Sequence, residues 1–221
     1  MSKKQWPLLS DLPPDTVTPV DYAYDQLARA DLPELIDGMR QWFPDLAVGA
    51  GRYYSDVSFY EQRVYLKGEL ERDIVVYVGR YNGRIMAAIC IEKNDDNLTL
   101  LGRYGVCAPE HRRTGASLFA GYIMDALADY LGSAMAYSFV TLKSKGMQAM
   151  LERDGFRAVG ILPFSDREMI EGSVKHINEI IYAKHYIERT ELLPVHYENM
   201  TVSVRRLWDE LFGKIQDTSS R

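Results

Sequence analysis

A basic turn followed by small residues is the part of the sequence best suited to bind a ligand. Residues 108 to 121 read APEHRRTGASLFAG, so two adjacent arginines precede a run of small residues and an apolar helical pattern. The start of a helix exposes unpaired backbone N–H groups and the positive end of the helix dipole, which together favour a phosphate or pyrophosphate. A solvated arginine pair at an ordinary strand–helix turn is the alternative. The candidate anion-binding residues are Arg112, Arg113, Thr114, Gly115, Ala116 and Ser117.

The other reactive side chains are too isolated to define a site by their spacing. Cys90 and Cys107 lie in apolar runs and match neither a metal-binding nor a disulfide pattern. No histidine is placed by sequence to activate Cys107 as a nucleophile, so we interpret it as a small apolar residue. His111 lies in the basic turn and could contact a bound ligand, but an exposed loop histidine is the commoner case. The remaining histidines are scattered, and the sequence predicts no metal site.

The composition is that of a soluble globular protein. The chain has 221 residues, of which 47% are hydrophobic, so it is long enough to bury a core. Its formal charge of -5 argues against binding to nucleic acid or a membrane surface, which requires a basic face. No segment has the run of about 18 apolar residues that a transmembrane helix needs. The N-terminus lacks the apolar core of a signal peptide, and we expect a cytoplasmic protein.

The patterns around the basic turn predict the elements that position it. Residues 73 to 107 predict three antiparallel strands in a meander, with Asn82-Gly83 as a hairpin turn. The basic turn then begins a helix of about 16 residues, and residues 133 to 142 predict a buried strand. Because a strand, a helix and a strand follow one another, we expect a parallel crossover inside a mixed sheet.

Further elements are predicted on both sides of this unit. Asp31-Leu32-Pro33 begins a helix that Pro44 ends, and residues 55 to 70 are a weaker helical candidate. Residues 146 to 156 predict a short helix closed by Gly155, which two strands follow. A last amphipathic helix spans roughly residues 199 to 215. The fold class is therefore α/β, or α+β on a looser definition.

The complete arrangement resembles the GNAT family, the Gcn5-related N-acetyltransferases. The family signature is a strand ending in V-x-P or a near variant, then Q/R-x-x-G-x-G/A at the start of a long helix. Here Val106-Cys107-Ala108-Pro109 precedes the RRTGAS run of residues 112 to 117, with Ser117 where the family prefers glycine or alanine. The next landmark is a strand and a short helix ending in Gly-Phe, which Gly155-Phe156 matches. The resemblance covers roughly residues 18 to 187.

The resemblance implies a mixed, mostly antiparallel central sheet with helices on both faces, followed here by an extra C-terminal helix. The expected organisation is an extended lead-in over residues 1–18, an acyltransferase domain over residues 19–190 and a helical extension over residues 191–221. The implied cofactor is acetyl-CoA or coenzyme A. In the family the loop holds its pyrophosphate and the preceding strand pairs with its pantetheine arm. That arm is therefore expected beside Gly105, Val106 and Cys107.

The resemblance leaves the catalytic groups incomplete. Acetyl transfer to an amine requires a polarised thioester carbonyl, removal of a proton from the ammonium and protonation of the thiolate. The family often protonates the thiolate with a tyrosine four residues before the Gly-Phe glycine, and Leu151 occupies that position here. Glu92 and Tyr104, on the second and third meander strands, are candidates for the base. A carboxylate in solvent and a packed aromatic residue are the alternative interpretations.

The acceptor site is expected near the tyrosines before the meander. Tyr53, Tyr54 and Tyr60 fall where the family places acceptor-binding helices and loops, and they either line a pocket for an amine or pack against the sheet. Residues 146 to 184 faintly resemble GNAT enzymes that acetylate β-lysine, which slightly favours a small amino acid or similar amine. The C-terminal helix has three open roles: covering the sheet, closing the acceptor cleft or forming a homodimer contact.

Three functions are consistent with these patterns. The first is transfer of an acetyl group from acetyl-CoA to a primary amine of a small molecule, by direct attack in a ternary complex. The second is a protein N-acetyltransferase, whose acceptor groove would be open at both ends. The third is a non-catalytic module that binds or senses acyl-CoA, which the leucine at the expected acid position suggests.

Overall fold

The computed structural model describes residues 4–143 and 145–213, without the side chain of Arg189. These residues form two compact units, one ending at Tyr186 and one beginning at Ile187. The division lies a few residues before the boundary expected from the sequence, between residues 190 and 191. Within the described residues, no helix is long and apolar enough to cross a membrane, and no three His, Cys, Asp or Glu side chains are grouped to hold a metal ion.

A mixed sheet of eight strands forms the centre of the first unit. Its order is β1-β3-β4-β5-β6-β8-β7, with the short β2 paired beside β3. β5 runs parallel to β6, and β2 to β3, whereas the other neighbouring pairs are antiparallel. The predicted meander and parallel crossover are confirmed. The strands are β1 (Tyr22–Gln26), β2 (Val64–Tyr65), β3 (Ile74–Tyr81), β4 (Arg84–Asn94), β5 (Thr99–Cys107), β6 (Met135–Thr141), β7 (Arg157–Ile170) and β8 (Ser173–His185).

Helices cover both faces of this sheet, as predicted. One face carries α1 and α2 over an apolar cluster that includes Leu35, Tyr60 and Val76, called here the α1–α2 core. The other face carries α3 and α4 over a cluster that includes Ile123 and Leu127, the α3–α4 core. The α-helices of the first unit are α1 (Leu32–Trp42), α2 (Val57–Arg63), α3 (Leu118–Leu131) and α4 (Lys145–Arg153).

Strand β4 shows why the sheet is buried on both sides. Its apolar run alternates between the two cores, with Ala88 and Cys90 in the α1–α2 core and Ile89 and Ile91 in the α3–α4 core. Successive side chains of a strand point to opposite faces, so a continuous apolar run is what a doubly covered strand requires. The local sequence therefore already specifies a central strand.

The N-terminal region differs from the prediction in two respects. Residues 22 to 26 form the edge strand β1, which the sequence pattern did not reveal because the stretch YAYDQ is only five residues long. The lead-in, expected to be simply extended, is packed: Trp6 and Leu12 are each 7% exposed and belong to the α3–α4 core. The Trp6 indole also donates a hydrogen bond of 2.8 Å to the Arg72 carbonyl.

The second unit contains the predicted C-terminal helix, α5 (Val202–Phe212). The Thr201 hydroxyl caps its first turn by accepting a hydrogen bond of 3.3 Å from the Val204 N–H. The Trp208 and Phe212 rings pack with centroids 4.6 Å apart on one side of the helix. The predicted end near residue 215 lies outside the described residues, and the three roles open to this helix stay predictions.

Candidate functional site

A β-bulge in β5 places Arg103 and Tyr104 on the same face of the sheet. Cys90 of β4 pairs with Tyr104, whereas the next β4 residue, Ile91, pairs with Gly102, so Arg103 is the extra residue. Tyr104 packs against the α1–α2 core, and Arg103 contacts helix α2 on that side. Two large consecutive side chains therefore point away from the α3–α4 side.

Because glycines lie on either side of the bulge, β5 carries no side chains there on the α3–α4 side. A Cβ on Gly102 would overlap the Ser138 hydroxyl, and a Cβ on Gly105 would lie 3.5 Å from the end of the Met147 side chain. Glycine in a strand often marks a place where another backbone or a ligand approaches closely. This stretch of β5 can therefore pair with an extended ligand along its backbone.

β5 and β6 separate at this point and open a cleft, called here the strand cleft. Their parallel pairing runs from Thr99–Met135 to Gly102–Ser138, after which β5 follows β4 and β6 follows β8. The cavity volume of the cleft is about 60 Å³, and the rest of its space is open to solvent. No described strand pairs with the β5 edge that faces it. The lining is mainly apolar and includes Ile89, Met124, Met147, Met150, Leu151 and Phe156.

The basic loop (residues 109–117) joins the end of β5 to the start of α3. It begins with a helical turn, Pro109–His111, and Arg113 and Gly115 have positive φ angles of 66° and 92°. Such left-handed residues allow a tight loop. Among the described residues, the backbone N–H groups of residues 115 to 117 find no acceptor. They are uncommitted donors at the positive end of the α3 dipole.

Two tyrosines of the edge strand β1 hold the basic loop in place. The Tyr22 hydroxyl lies 2.7 Å from Thr114 Oγ1 and 3.2 Å from His111 Nδ1. The Tyr24 hydroxyl donates a hydrogen bond of 2.7 Å to the Ala116 carbonyl, and its ring stacks on an aromatic ring of α3. His111 is therefore part of the contact between strand and loop, not the exposed residue expected from its position in the turn.

The two arginines of the loop are held differently. Arg112 Nε donates a hydrogen bond of 3.3 Å to the Cys107 carbonyl, and the guanidinium carbon lies 5.3 Å from the Phe43 ring centroid. Arg113 is exposed and forms no hydrogen bond or ion pair with a described residue. Arg112 is thus anchored beside the loop by one edge of its guanidinium, with its terminal nitrogens still available to an anion.

The three strand residues expected beside a cofactor arm face different surroundings. Gly105 lines the strand cleft. Val106 is 8% exposed and packs into the α1–α2 core, so its side chain points away from the cleft. Cys107 packs beside Ala116 at the base of the basic loop, and burial raises its pKa to about 11. The alternation of side chains along a strand accounts for this split.

Both predicted bases are engaged by neighbouring side chains. Glu92 forms an ion pair with Arg103, and each side chain is 27% exposed. The Tyr104 hydroxyl lies 3.2 Å from that of Tyr60, and burial raises the pKa of Tyr104 well above 10. A phenol that stays protonated at neutral pH is a poor base, so the geometry favours a structural role for Tyr104.

The predicted acceptor tyrosines do not form a single wall. Tyr53 is 63% exposed, Tyr54 is 9% exposed and Tyr60 is fully buried. The Tyr60 hydroxyl donates a hydrogen bond of 2.7 Å to the Tyr54 carbonyl, and the rings of Tyr54 and Tyr104 lie 4.6 Å apart. Tyr60 is therefore a core residue, and Tyr53 is the member of the three that a ligand can reach freely.

The strap (residues 44–55) connects α1 to α2 and is tied to β7. Lys143 forms ion pairs with Asp45 of the strap and Glu168 of β7, and the strap backbone donates a hydrogen bond of 2.9 Å to Asp166 of β7. β7 is the far edge of the sheet, beyond β6 and β8. The strap therefore bridges the α1–α2 face of the strands that border the cleft.

Glu179 is a carboxylate to which the sequence analysis assigned no role. It lies on β8 opposite Thr141, on the α1–α2 face, because the adjacent Ile180 packs into the α3–α4 core. Burial, assisted by the nearby carboxylates Asp166 and Glu168, raises the pKa of Glu179. It forms no ion pair with any described residue. The only sequence signal was a lone glutamate in an apolar strand.

Comparison with known proteins identifies the fold but not a sequence relative. No protein-family model matches the sequence, and no curated protein matches it. The three-dimensional structure, in contrast, has the fold of GNAT acetyltransferases, which confirms the fold that the sequence resemblance implied. At identities of 14% the similarity shows the fold alone.

Three solved structures illustrate this similarity. A spermidine N-acetyltransferase from Vibrio cholerae in complex with CoA and spermine has a TM-score of 0.58 and 14% identity, covering 76% of this chain and 96% of that one. A GNAT family acetyltransferase from Elizabethkingia anophelis with acetyl-CoA bound has a TM-score of 0.52 and 14% identity, covering 76% and 100%. An IAA acetyltransferase from Bacillus cereus has a TM-score of 0.53 and 14% identity, covering 75% and 99%.

Proposed function

We propose that the protein is an N-acetyltransferase that transfers an acetyl group from acetyl-CoA to a primary amine of a small molecule. The observation that carries this proposal is the strand cleft beside the basic loop. The edge of β5 beyond Gly102 has no strand partner among the described residues. It lies next to the start of α3, where backbone N–H groups have no acceptor among those residues. An extended thiol cofactor with a pyrophosphate presents the two kinds of group that these features bind.

The residues present fit such a cofactor. The backbone N–H groups of residues 115 to 117, with Arg112, would hold the pyrophosphate by charge-assisted hydrogen bonds. The β5 edge beyond Gly102, which faces the strand cleft, would pair with the pantetheine arm. When bound, acetyl-CoA supplies the activated acetyl group. A β5 N–H near the bulge would polarise the carbonyl, because such donors act strongly in a dry site.

The strap favours a small acceptor over a protein. It is fixed to β7 by the Lys143 ion pairs and the Asp166 hydrogen bond, so it closes the α1–α2 face on one side. An extended peptide needs a groove open at both ends, as a β-strand or loop must pass through it. Glu179, a carboxylate without an ion-pair partner on this face, would attract the acceptor ammonium and take its proton.

The test is a thiol-release assay with acetyl-CoA and a panel of amines. The panel includes spermidine and spermine, α- and β-amino acids, and arylalkylamines. We expect thiol release that depends on at least one of these amines. The variant Arg112→Glu reverses a charge beside the pyrophosphate site, so the KM for acetyl-CoA should rise about tenfold or more.

Arg157→Glu is the matched control, because Arg157 is an exposed arginine at the start of β7, which β8 and β6 separate from β5 and the basic loop. It should leave the KM for acetyl-CoA unchanged. Equal acetyl-CoA affinity in the wild type and Arg112→Glu would contradict the assignment of the pyrophosphate site. Acetyl-CoA binding without turnover of any amine would instead support the non-catalytic module.

A further inference from the structure

Ser138 occupies the point at which the two strands of the cleft part. Gly102 and Ser138 are the last paired residues of β5 and β6. Ala136 and Val140, which have the same orientation on β6, belong to the α3–α4 core, so Ser138 points to that side. The point at which β5 and β6 separate, called here the fork of the cleft, therefore carries a hydroxyl group on its α3–α4 side.

Gly102 provides the space for this hydroxyl. The position that a Cβ on Gly102 would take is filled by Ser138 Oγ, with the end of Met124 also only 3.4 Å away. Any side chain at position 102 would push the hydroxyl out of the fork. The glycine and the serine therefore form a complementary pair across the two strands.

The Ser138 hydroxyl is a free donor in apolar surroundings. Within the described residues it makes no hydrogen bond, and its neighbours in the cleft include Met147, Met150 and Leu151. The carboxylate of the cleft, Asp154, is paired with Arg153 at 2.8 Å. A donor in a low-dielectric site stabilises a developing negative charge more strongly than the same donor in water.

We propose that the Ser138 hydroxyl donates a hydrogen bond to the sulfur of coenzyme A and stabilises the thiolate that leaves during acetyl transfer. The inference rests on the proposed function and assigns a catalytic residue to it. The amine nitrogen forms a bond to the acetyl carbon, the carbon–sulfur bond breaks, and sulfur departs with the electron pair. The proton that the amine loses ends on the sulfur. Ser138 keeps its own proton throughout, because a serine hydroxyl is a far weaker acid than a thiol.

The Ser138 hydroxyl would supply a hydrogen-bond donor that position 151 lacks. Leu151 lines the cleft and is 8% exposed, so helix α4 offers no hydroxyl at the place where the sequence resemblance implied one. The donor comes from strand β6 instead of from the helix. A hydrogen bond from a neutral hydroxyl does not require Ser138 to transfer its proton to the sulfur. It still stabilises the negative charge of the thiolate and so favours its departure.

The first experiment measures the pKa of the coenzyme A thiol bound to the wild type and to Ser138→Ala. The thiolate is followed by its ultraviolet absorbance, with desulfo-coenzyme A as the blank. We expect the pKa of the bound thiol to be higher in Ser138→Ala by roughly one unit, because the hydrogen bond favours the charged form. Ser133→Ala, which removes a buried serine hydroxyl just before β6, should leave this pKa unchanged.

The second experiment measures turnover with saturating acetyl-CoA and amine. In Ser138→Ala, kcat should fall roughly 10- to 100-fold while the KM for acetyl-CoA changes less than about twofold. An unchanged thiol pKa in Ser138→Ala overturns this inference, even if the enzyme is an acetyltransferase. Failure of coenzyme A to bind at all overturns the proposed function together with it. A shifted thiol pKa in a protein that acetylates no amine would support the sulfur contact and overturn the proposed reaction.

Discussion

The Tyr22 hydroxyl of the edge strand lies 2.7 Å from the Thr114 hydroxyl of the basic loop, and this contact sets the direction of a short hydrogen-bond chain. Thr114 donates to the His111 carbonyl at 2.8 Å, so it must accept from Tyr22. Tyr22 then accepts from His111 Nδ1 at 3.2 Å, which places the ring proton of a neutral His111 on Nδ1. Strand, loop and imidazole are thereby linked through one directed chain.

Removing the Tyr22 hydroxyl should weaken coenzyme A binding without removing any residue that would contact the ligand. In Tyr22→Phe both ends of the chain lose their partner, and the basic loop is less well positioned for the pyrophosphate. We expect the dissociation constant, measured by calorimetry, to rise about 3- to 10-fold, as for the loss of one or two hydrogen bonds. Tyr130→Phe, which removes an exposed hydroxyl near the end of α3, is the control. Equal affinities of the two variants would show that the chain does not position the loop.

The fork of the cleft should not tolerate a side chain on β5. In Gly102→Ala the added methyl would collide with Ser138 and approach Met124, so we expect a loss of about 1–3 kcal/mol in the free energy of unfolding. Gly160→Ala is the matched strand control, because a Cβ there would lie 3.9 Å from its nearest neighbour. Chemical denaturation measures both. A Gly102→Ala variant as stable as Gly160→Ala, with normal coenzyme A binding, would contradict the packing described for the fork.

Local signals account for the parts of the fold that the sequence predicted. The Asn82-Gly83 turn between β3 and β4 has positive φ angles of 49° and 80°, which that dipeptide accommodates at low cost. Gly155 ends the α4 region with a φ of 86°. The helix after the basic turn also follows from its own apolar period. Each of these features depends on neighbours in sequence, so a pattern of residue types was enough.

The features that define the site depend on pairing between distant segments. The bulge at Arg103 is visible only from the register of β5 against β4, and the Gly102–Ser138 pair only from the register of β5 against β6. The ion pair that engages Glu92 follows from the same bulge. The contact of Tyr22 with the basic loop joins residues separated by 92 positions. No local pattern encodes these distances, so the sequence could not show that Glu92 pairs with Arg103 or that Tyr60 and Tyr104 lie against each other.

The Cys107 thiol should react slowly with alkylating reagents, and its rate of reaction should reveal whether coenzyme A is bound nearby. Burial raises its pKa to about 11, so only a small thiolate fraction reacts near neutral pH. Alkylation by iodoacetamide should accelerate about tenfold per pH unit until the pH approaches that pKa. Cys90 is fully buried, so the labelled residue found by mass spectrometry should be Cys107. Bound coenzyme A should slow the reaction, and rapid labelling at neutral pH that coenzyme A leaves unaffected would argue against this placement.

Glu179 should make stability depend on pH in a defined direction. Its folded-state pKa is raised above the ordinary value of 4.5 by burial, so the folded protein holds this proton more tightly than the unfolded chain does. Stability from this residue is present below that ordinary value and is lost as the pH rises through the folded-state pKa. In Glu179→Gln the side chain stays neutral, so the variant should melt at a higher temperature than the wild type near neutral pH. The two melting temperatures should converge at about pH 4.

The same substitution should separate binding of the acceptor from binding of the cofactor. If Glu179 attracts the ammonium of the amine, Glu179→Gln lowers kcat/KM for the acceptor by about tenfold or more and leaves the dissociation constant of coenzyme A unchanged. Glu171→Gln, in the exposed turn between β7 and β8, is the control for both melting and kinetics. A Glu179→Gln variant that is less stable than the wild type at neutral pH would mean that a favourable contact within the protein stabilises the ionised carboxylate. In that case its role as a carboxylate without an ion-pair partner that attracts the acceptor would be wrong.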